Sequence, residues 1–211
     1  MKTPELLIFD LGNVIVNVDH RAVAARFAQA STRFEFRDPE VLLSTIMRDG
    51  ETLLKAFDSG EITPGVFYER VKSAYHLDLD FDNFAEIWNS GFSENQEVSK
   101  IITRLREKVR LFLLSNTNAL HFEYLRNRCP AIESMEQVIL SYQLGFMKPS
   151  AKIFQHALEL AGVPARDVWY VDDIPEFVDA ARKLGIHGIR FTSPGQLTAD
   201  LQGLMSGDSW F

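Results

Sequence analysis

The sequence predicts an α/β protein: a parallel sheet with helices on both faces, interrupted early by an inserted helical module. Three observations predict it. Short, fully apolar runs stop abruptly at polar residues, as strands buried on both faces do; the first is Leu6-Leu7-Ile8-Phe9 ahead of Asp10. From Glu97 onward such runs alternate with helical patterns, the signature of repeated strand–helix units. From His20 to about Gln96, apolar residues recur at helical spacing and no convincing buried strand breaks the pattern.

Each element can be justified in turn. Asp10-Leu11-Gly12-Asn13 is the loop that ends the first strand. The β-branched residues Val14, Ile15, Val16 and Val18 then suit a short extended hairpin. In the helical stretch, Val23, Ala24, Phe27 and Ala28 share one face, Val41, Leu42, Ile46 and Met47 another, and Phe67, Val71 and Tyr75 a third. Breaks fall at Asp38-Pro39, Asp49-Gly50, Ser59-Gly60 and Thr63-Pro64. Val98, Ile101, Ile102 and Leu105 line a helix face. Val109 to Leu114 is a strand ending in Ser115-Asn116-Thr117-Asn118, with a helix after it from about Ala119 to Arg128. Gln137 to Leu140 is a third strand, and Lys148-Pro149-Ser150 opens a helix that Gly162 stops. Val168 to Val171 is a fourth, ending in Asp172-Asp173. Pro175 starts the next helix and Gly185 ends it, and Gly188 to Phe191 is a fifth strand. The core is therefore Rossmann-like. It divides into residues 1–16, a helical insertion at 17–96, and a continuation at 97–211.

Bulk properties exclude several classes. The net charge of −7 argues against general nucleic-acid binding, which needs a basic face. No apolar run reaches the roughly 20 residues that span a bilayer, and no signal-peptide core follows Met1, so a cytoplasmic location is expected. The single cysteine, Cys129, has no partner for a disulfide within the chain and no obvious base beside it, and reads as structural. Oligomeric state is not legible, and the apolar Ser209-Trp210-Phe211 end suits docking on the core or on a partner equally well.

Four polar clusters follow strand ends or helix starts: Asp10, Ser115-Asn116, Lys148 and Asp172-Asp173. Right-handed crossovers place every strand's carboxyl end on one edge of a parallel sheet, so the clusters converge there. Carboxylate oxygens with room for water suit Mg²⁺, which lets a carboxylate and a phosphate dianion approach. Asp10 then becomes a nucleophile for phosphorus. Ser115 and the amide of Asn116 become donors to non-bridging oxygens, and Lys148 offsets the charge of the transferring group. Each residue also has a plainer reading: Asp10 as a loop aspartate, Ser115 as a helix cap, Lys148 as a surface charge, Asp172-Asp173 as cap chemistry. Their convergence favours the site, and two adjacent carboxylates repel unless a cation relieves them. Glu176 reads as a first-turn residue favoured by the helix dipole. The histidines show no ligand spacing, and only His20, at the junction of core and insertion, stays open.

On these residues the chain resembles the haloacid dehalogenase superfamily. Phe9-Asp10-Leu11-Gly12-Asn13-Val14 is similar to its first motif, Leu114-Ser115-Asn116 to its second and Lys148 before Pro149 to its third. Val171-Asp172-Asp173 with Glu176, Ala180-Ala181-Arg182 and Leu184-Gly185-Ile186 is similar to its fourth. Residues 17–96 fall where that family inserts its helical C1 cap. Asp-Leu-Gly-Asn-Val, Leu-Ser-Asn-Thr-Asn and Gly60-Glu61-Ile62 are similar to a bacterial subgroup that includes a glucose-1-phosphate phosphatase. The resemblance implies a Mg²⁺-dependent phosphatase forming an aspartyl-phosphate on Asp10. Its substrate would be a small phosphorylated metabolite of the sugar-phosphate kind. Asp10, Asp172, Asp173 and the Gly12 carbonyl would hold the metal.

One departure stands out. The family's phosphatases usually carry a second aspartate, a general acid and base, two residues after the nucleophile, where this chain has Gly12. A glycine keeps the metal-binding carbonyl but carries no proton, and losing a general acid costs about 10²–10⁴ in rate. Asp19, His20 or a positioned water is then the expected substitute. The departure keeps two other readings open: a metal-free dehalogenase-type hydrolase, and a catalytically weakened binding or regulatory protein.

Overall fold

A computed structural model of the chain describes residues 3–202, so the expectation for Trp210 and Phe211 lies outside the described residues. Strand β1 (Leu6–Phe9) is followed by a turn and β2 (Val16–Val18). Five helices come next: α1 (His20–Ala30), α2 (Pro39–Asp49), α3 (Glu51–Asp58), α4 (Pro64–Tyr75) and α5 (Phe81–Asn89). The chain returns through β3 (Phe92–Glu94) and α6 (Gln96–Leu105) to β4 (Arg110–Ser115), α7 (Ala119–Arg126) and α8 (Pro130–Glu133). Then follow β5 (Gln137–Leu140), α9 (Ser141–Leu144), α10 (Ala151–Ala161) and β6 (Val168–Asp172). Helix α11 (Pro175–Lys183), β7 (His187–Arg190) and α12 (Pro194–Asp200) complete the described chain.

Five strands form one sheet in the order β5-β4-β1-β6-β7, with parallel pairing throughout. Alternate residues of each strand face opposite ways. Leu7, Phe9, Leu111, Leu113 and Trp169 thus pack in one cluster that also takes Val98, Ile102 and Leu105 of α6. Leu6, Ile8, Phe112, Leu114 and Tyr170 enter the other, with Ile153 and Phe154 of α10. Helices therefore cover both faces, and the parallel pairing brings the carboxyl ends of all five strands to one edge. A third cluster, separate from the sheet, joins Phe27, Leu42, Phe57, Phe67 and Phe84 of the five-helix segment. Asp38, Thr63 and Asp80 cap α2, α4 and α5 through their side chains, which explains the helix starts after the sequence breaks.

Two expectations need correction. The extended stretch after Gly12 is not a hairpin on its own: β2 pairs antiparallel with β3, on the far side of the helical segment. The amides of Ile15 and Val16 both donate to the Leu11 carbonyl, closing a turn that leaves three extended residues, and the returning chain supplies their partner. Val41 does not share a buried face with Leu42; it is 43% exposed, while Leu42 is fully buried.

Candidate active site

Strand β1 lies between β4 and β6, so the chain leaves β1 in opposite lateral directions to build the two halves of the sheet. Ligand sites of open parallel sheets form at such a switch point, beyond the carboxyl ends of the strands. Asp10 is the residue directly after β1, and its amide donates to the Val171 carbonyl, which fixes the loop against β6. Lys148 reaches the same point from the start of α10. Its Nζ lies 2.6 Å from Asp10 Oδ1 and 2.7 Å from Asp172 Oδ2, and it also donates to the Leu114 carbonyl. All three side chains are buried, Asp172 completely.

Charges at such depth are sustained only by each other. Burial pushes the Asp10 carboxyl up to about 7; Lys148 opposes that shift and Asp172 adds to it. Burial works against the Lys148 ammonium, but the two carboxylates outweigh it and raise its pKa. The Tyr170 hydroxyl donates to Asp172, and its own pKa is driven well up by burial and then by the Asp172 charge.

The loops around this triad are tied down by short polar contacts. Asn116 clamps the Lys148 backbone from both sides, its Nδ2 donating to the Lys148 carbonyl at 2.9 Å and its Oδ1 accepting from the Lys148 amide at 2.8 Å. Ser115, 2% exposed, ends β4 beside it, with its Oγ 3.4 Å from the Asn116 carbonyl oxygen. The cap of α7 is Asn118, which accepts from the His121 amide, so Ser115 does not cap that helix. Asp172 accepts from the Ile174 amide at the start of α11, combining a cap-like role with its contact to Lys148. Glu176 lies in the first turn of that helix.

Carboxylate oxygens of Asp10, Asp172 and Asp173 lie within 4.8 Å of one another. Burial and then the Asp172 charge raise the Asp173 pKa, against a hydrogen bond from Asn13. Three hard oxygen donors in one cluster fit a hard divalent cation such as Mg²⁺ and suit softer metals poorly.

Above Gly12 and the Ser115–Asn118 loop opens a cavity of about 270 Å³ between the sheet edge and the five-helix segment. Val23, Leu43, Ile46, Leu54 and Trp88 supply its helical walls, and His20 also lines it. Asp19 caps α1 by accepting from the Ala22 amide, which commits its carboxylate to the helix terminus.

Asp58, at the end of α3 just before the Ser59-Gly60 break, is a cavity residue that the sequence did not single out. Its Oδ1 accepts from Asn118 Nδ2 at 2.9 Å, and its carbonyl accepts from Ser141 Oγ. Burial pushes its pKa up to about 6, against the Asn118 bond. The turn after it needs Gly60: φ is +77°, and a Cβ there would sit 2.1 Å from the Tyr142 carbonyl oxygen. His121 was also read as structural. It lines the cavity, stacks on Trp88 at 5.0 Å and shares Nδ1 with Asn89 Oδ1. Burial, then His20, lowers its pKa to about 3, so its ring is neutral. The nearest signal for either residue was helical register, which does not distinguish a cavity wall from core.

The sequence matches the haloacid dehalogenase-like hydrolases over residues 4–185. A D-ribitol-5-phosphate phosphatase of Bacteroides thetaiotaomicron is 25% identical over 187 residues, 85% of this chain and 87% of the relative. Among solved structures, a wild-type HAD family enzyme of the same organism, in complex with magnesium and inorganic phosphate, superposes with a TM-score of 0.78 at 25% identity. That match covers 99% of this chain and 98% of the other. The L-2-haloacid dehalogenase of Xanthobacter autotrophicus shares the fold, with a TM-score of 0.66 at 16% identity over 95% of this chain and 83% of that one. Among the described residues, no helix is long and apolar enough to cross a membrane.

Proposed function

The chain belongs to the haloacid dehalogenase-like hydrolases, and from that premise we propose that it is a Mg²⁺-dependent phosphatase of small phosphate monoesters with Asp10 as nucleophile. The observation that carries this reading is the buried triad of Asp10, Lys148 and Asp172 at the switch point of the sheet, with Asp173 within reach of the same carboxylates. The relative named as a phosphatase and the structure holding magnesium and phosphate support it. The relative's polyol phosphate also supports the sugar-phosphate expectation for the phosphorylated metabolite that this chain takes.

Asp10, Asp172, Asp173 and the Gly12 carbonyl would hold the Mg²⁺, whose bound charge offsets repulsion between the carboxylate and the phosphoryl group. Lys148 orients Asp10 and offsets charge on the transferring group. The Asp10 carboxylate attacks phosphorus, the bond to the ester oxygen breaks as that oxygen takes a proton from His20 or a positioned water, and Asp10 carries the phosphoryl group as an aspartyl-phosphate. Ser115 and the backbone amide of Asn116 donate to non-bridging oxygens, and the Asn116 side chain keeps Lys148 in place. Water then cleaves the acyl phosphate and restores Asp10. The residues 17–96 act as the cap that closes over the reaction and excludes bulk water.

The test is phosphate release from p-nitrophenyl phosphate by the wild type and by Asp10→Asn, with and without a chelator. The expected result is loss of about 10⁴-fold or more in the variant, and loss in the wild type on chelation that Mg²⁺ reverses. Wild-type rates from the variant would overturn the nucleophile. Activity that survives chelation would move the protein to metal-free, dehalogenase-type chemistry.

A further inference from the structure

We propose that His121 and Asp58 form a hydroxyl-recognition subsite in the cavity, which selects uncharged polyhydroxyl bodies among phosphate monoesters; this rests on the phosphatase reading above and names the residues that read the substrate. Once a phosphate meets Asp10 and Lys148, the rest of the monoester extends past Gly12 and Ser115 into this cavity, whose walls include Trp88, His121 and Asp58.

One buried residue holds both side chains in place. Asn118, fully buried, donates through Nδ2 to Asp58 Oδ1 at 2.9 Å and accepts the His121 amide on its own Oδ1 at 3.1 Å. Each of the two is left with one acceptor to spare. His121 Nδ1 lies 2.9 Å from Asn89 Oδ1. An amide oxygen only accepts, so Nδ1 carries the proton of the neutral ring and Nε2 keeps a lone pair. The ring is held in that orientation by Trp88, stacked on it at 5.0 Å and 8°, and by Phe92, edge-on at 4.6 Å. Asp58 uses Oδ1 for Asn118, and its Oδ2 has no partner among the described residues. Neither Nε2 nor Oδ2 is sealed within the protein, and both belong to residues that line the cavity. Trp88 Nε1 is buried without a partner, an unmet donor on the indole that packs against the His121 ring.

A hydroxyl is the group that matches this set. It gives its hydrogen to Nε2 or Oδ2 and still accepts from a donor, whereas a methylene does neither and leaves the polar atoms unmet. A carboxylate has no hydrogen to give and would face Asp58, and among the described residues no lysine or arginine lines the cavity to receive it. The aliphatic Val23, Ile46 and Leu54 suit the C–H edges of a polyhydroxyl chain.

The experiment compares three five-carbon monoesters of primary alcohols, with Mg²⁺ present: ribitol 5-phosphate, pentyl phosphate and ribonate 5-phosphate, which ends in a carboxylate. In the wild type we expect kcat/KM for ribitol 5-phosphate to exceed that for pentyl phosphate by about 10²-fold, and that for ribonate 5-phosphate by about tenfold or more. His121→Phe keeps an aromatic ring against Trp88 but removes Nε2. Asp58→Asn keeps the acceptor that Asn118 uses but presents a donor in place of Oδ2. Each should lower the ribitol-to-pentyl ratio about tenfold, and because the ratio is taken within one protein, a loss of folded enzyme does not move it. Pentyl or ribonate 5-phosphate matching ribitol 5-phosphate, or a ratio that either variant leaves unmoved, overturns the proposal. Calorimetric binding of the same esters to Asp10→Asn separates the two claims. If p-nitrophenyl phosphate is not hydrolysed the phosphatase reading fails, while the ribitol-to-pentyl ratio of dissociation constants still decides the subsite, and binding of neither ester overturns it.

Discussion

At the edge of the sheet, Asp10, Lys148 and Asp172 are buried charges that hold one another at hydrogen-bonding distance, each delivered by a strand end or a helix start. Directly above, the cavity between α1, α2, α3 and α5 is walled mainly by apolar side chains scattered over these helices, with His20, Asp58 and His121 as polar groups among them. The first region is specified by position: a residue at the carboxyl end of a parallel strand has one place to go. The second is specified by packing, and only the assembled helices decide which side of an apolar stripe faces a void. Chemistry and substrate choice thus rest on different physical foundations, and each can be disturbed without the other.

The largest effect is expected at the charged edge. Lys148→Met keeps most of the side chain's volume but leaves Asp10 and Asp172 buried beside each other with no cation. Removing one partner of a buried ion pair costs about 3–5 kcal/mol. Urea unfolding at pH 7 should register that loss, and phosphate release should fall to background. The deficit should shrink at pH 5. The Asp10 carboxyl, already raised by burial, would lose the cation that opposes that shift, so its protonation on acidification restores stability. A variant as stable as wild type at pH 7 would mean that the triad is not the electrostatic unit its geometry describes.

The contrast also explains what could be read from the chain alone. Strand ends were legible because a short apolar run that stops at Asp10, at Ser115 or at Asp172 fixes both element and edge. The turn at Asn118 and the starts at Pro64 and Pro175 were legible because caps are local. Val23 and Ala24 were grouped with Phe27 and Ala28 as one helical face; Val23 does pack against the helical core that Phe27 and Ala28 enter, but it and Ala24 also line the cavity. Nothing in a 3.6-residue period separates those roles. The pairing of β2 with β3 was hidden for the same reason, since its partner lies on the far side of five helices.

A smaller effect tests how the two regions meet at Gly12. Its backbone is not left-handed, and a Cβ there would have Val18 Cγ2 as its nearest neighbour at 3.8 Å, so a side chain fits. Gly12→Asp places a carboxyl between the charged edge and the apolar cavity, where a leaving alkoxide needs a proton. General acid catalysis at its low end contributes about 10²-fold. Steady-state rates on hexyl phosphate should rise by that factor, while p-nitrophenyl phosphate, whose leaving group needs little protonation, changes far less. Equal gains on both would point to altered binding rather than proton transfer.

The smallest effect concerns Asp58, the one carboxylate that the helical segment contributes to the cavity among the described residues. Asp58 has a folded-state pKa of about 6 because of burial, against an ordinary value of 3.8. Between those two values the folded protein keeps the proton that the unfolded chain has lost, so stability falls as pH rises through this window. At about 1.4 kcal/mol per unit the cost is about 2–3 kcal/mol by neutral pH. Asp58→Asn keeps the acceptor that Asn118 uses and the backbone carbonyl that Ser141 uses, but cannot ionise. The difference in unfolding free energy between variant and wild type should grow from pH 4 to pH 6, in the variant's favour, and then level off. Asp10 titrates in both proteins and cancels from the difference. A variant less stable than wild type at pH 8 would show that the ionised contact to Asn118 outweighs the burial of its charge, making Asp58 a latch between the two regions rather than a strained guest in the apolar one.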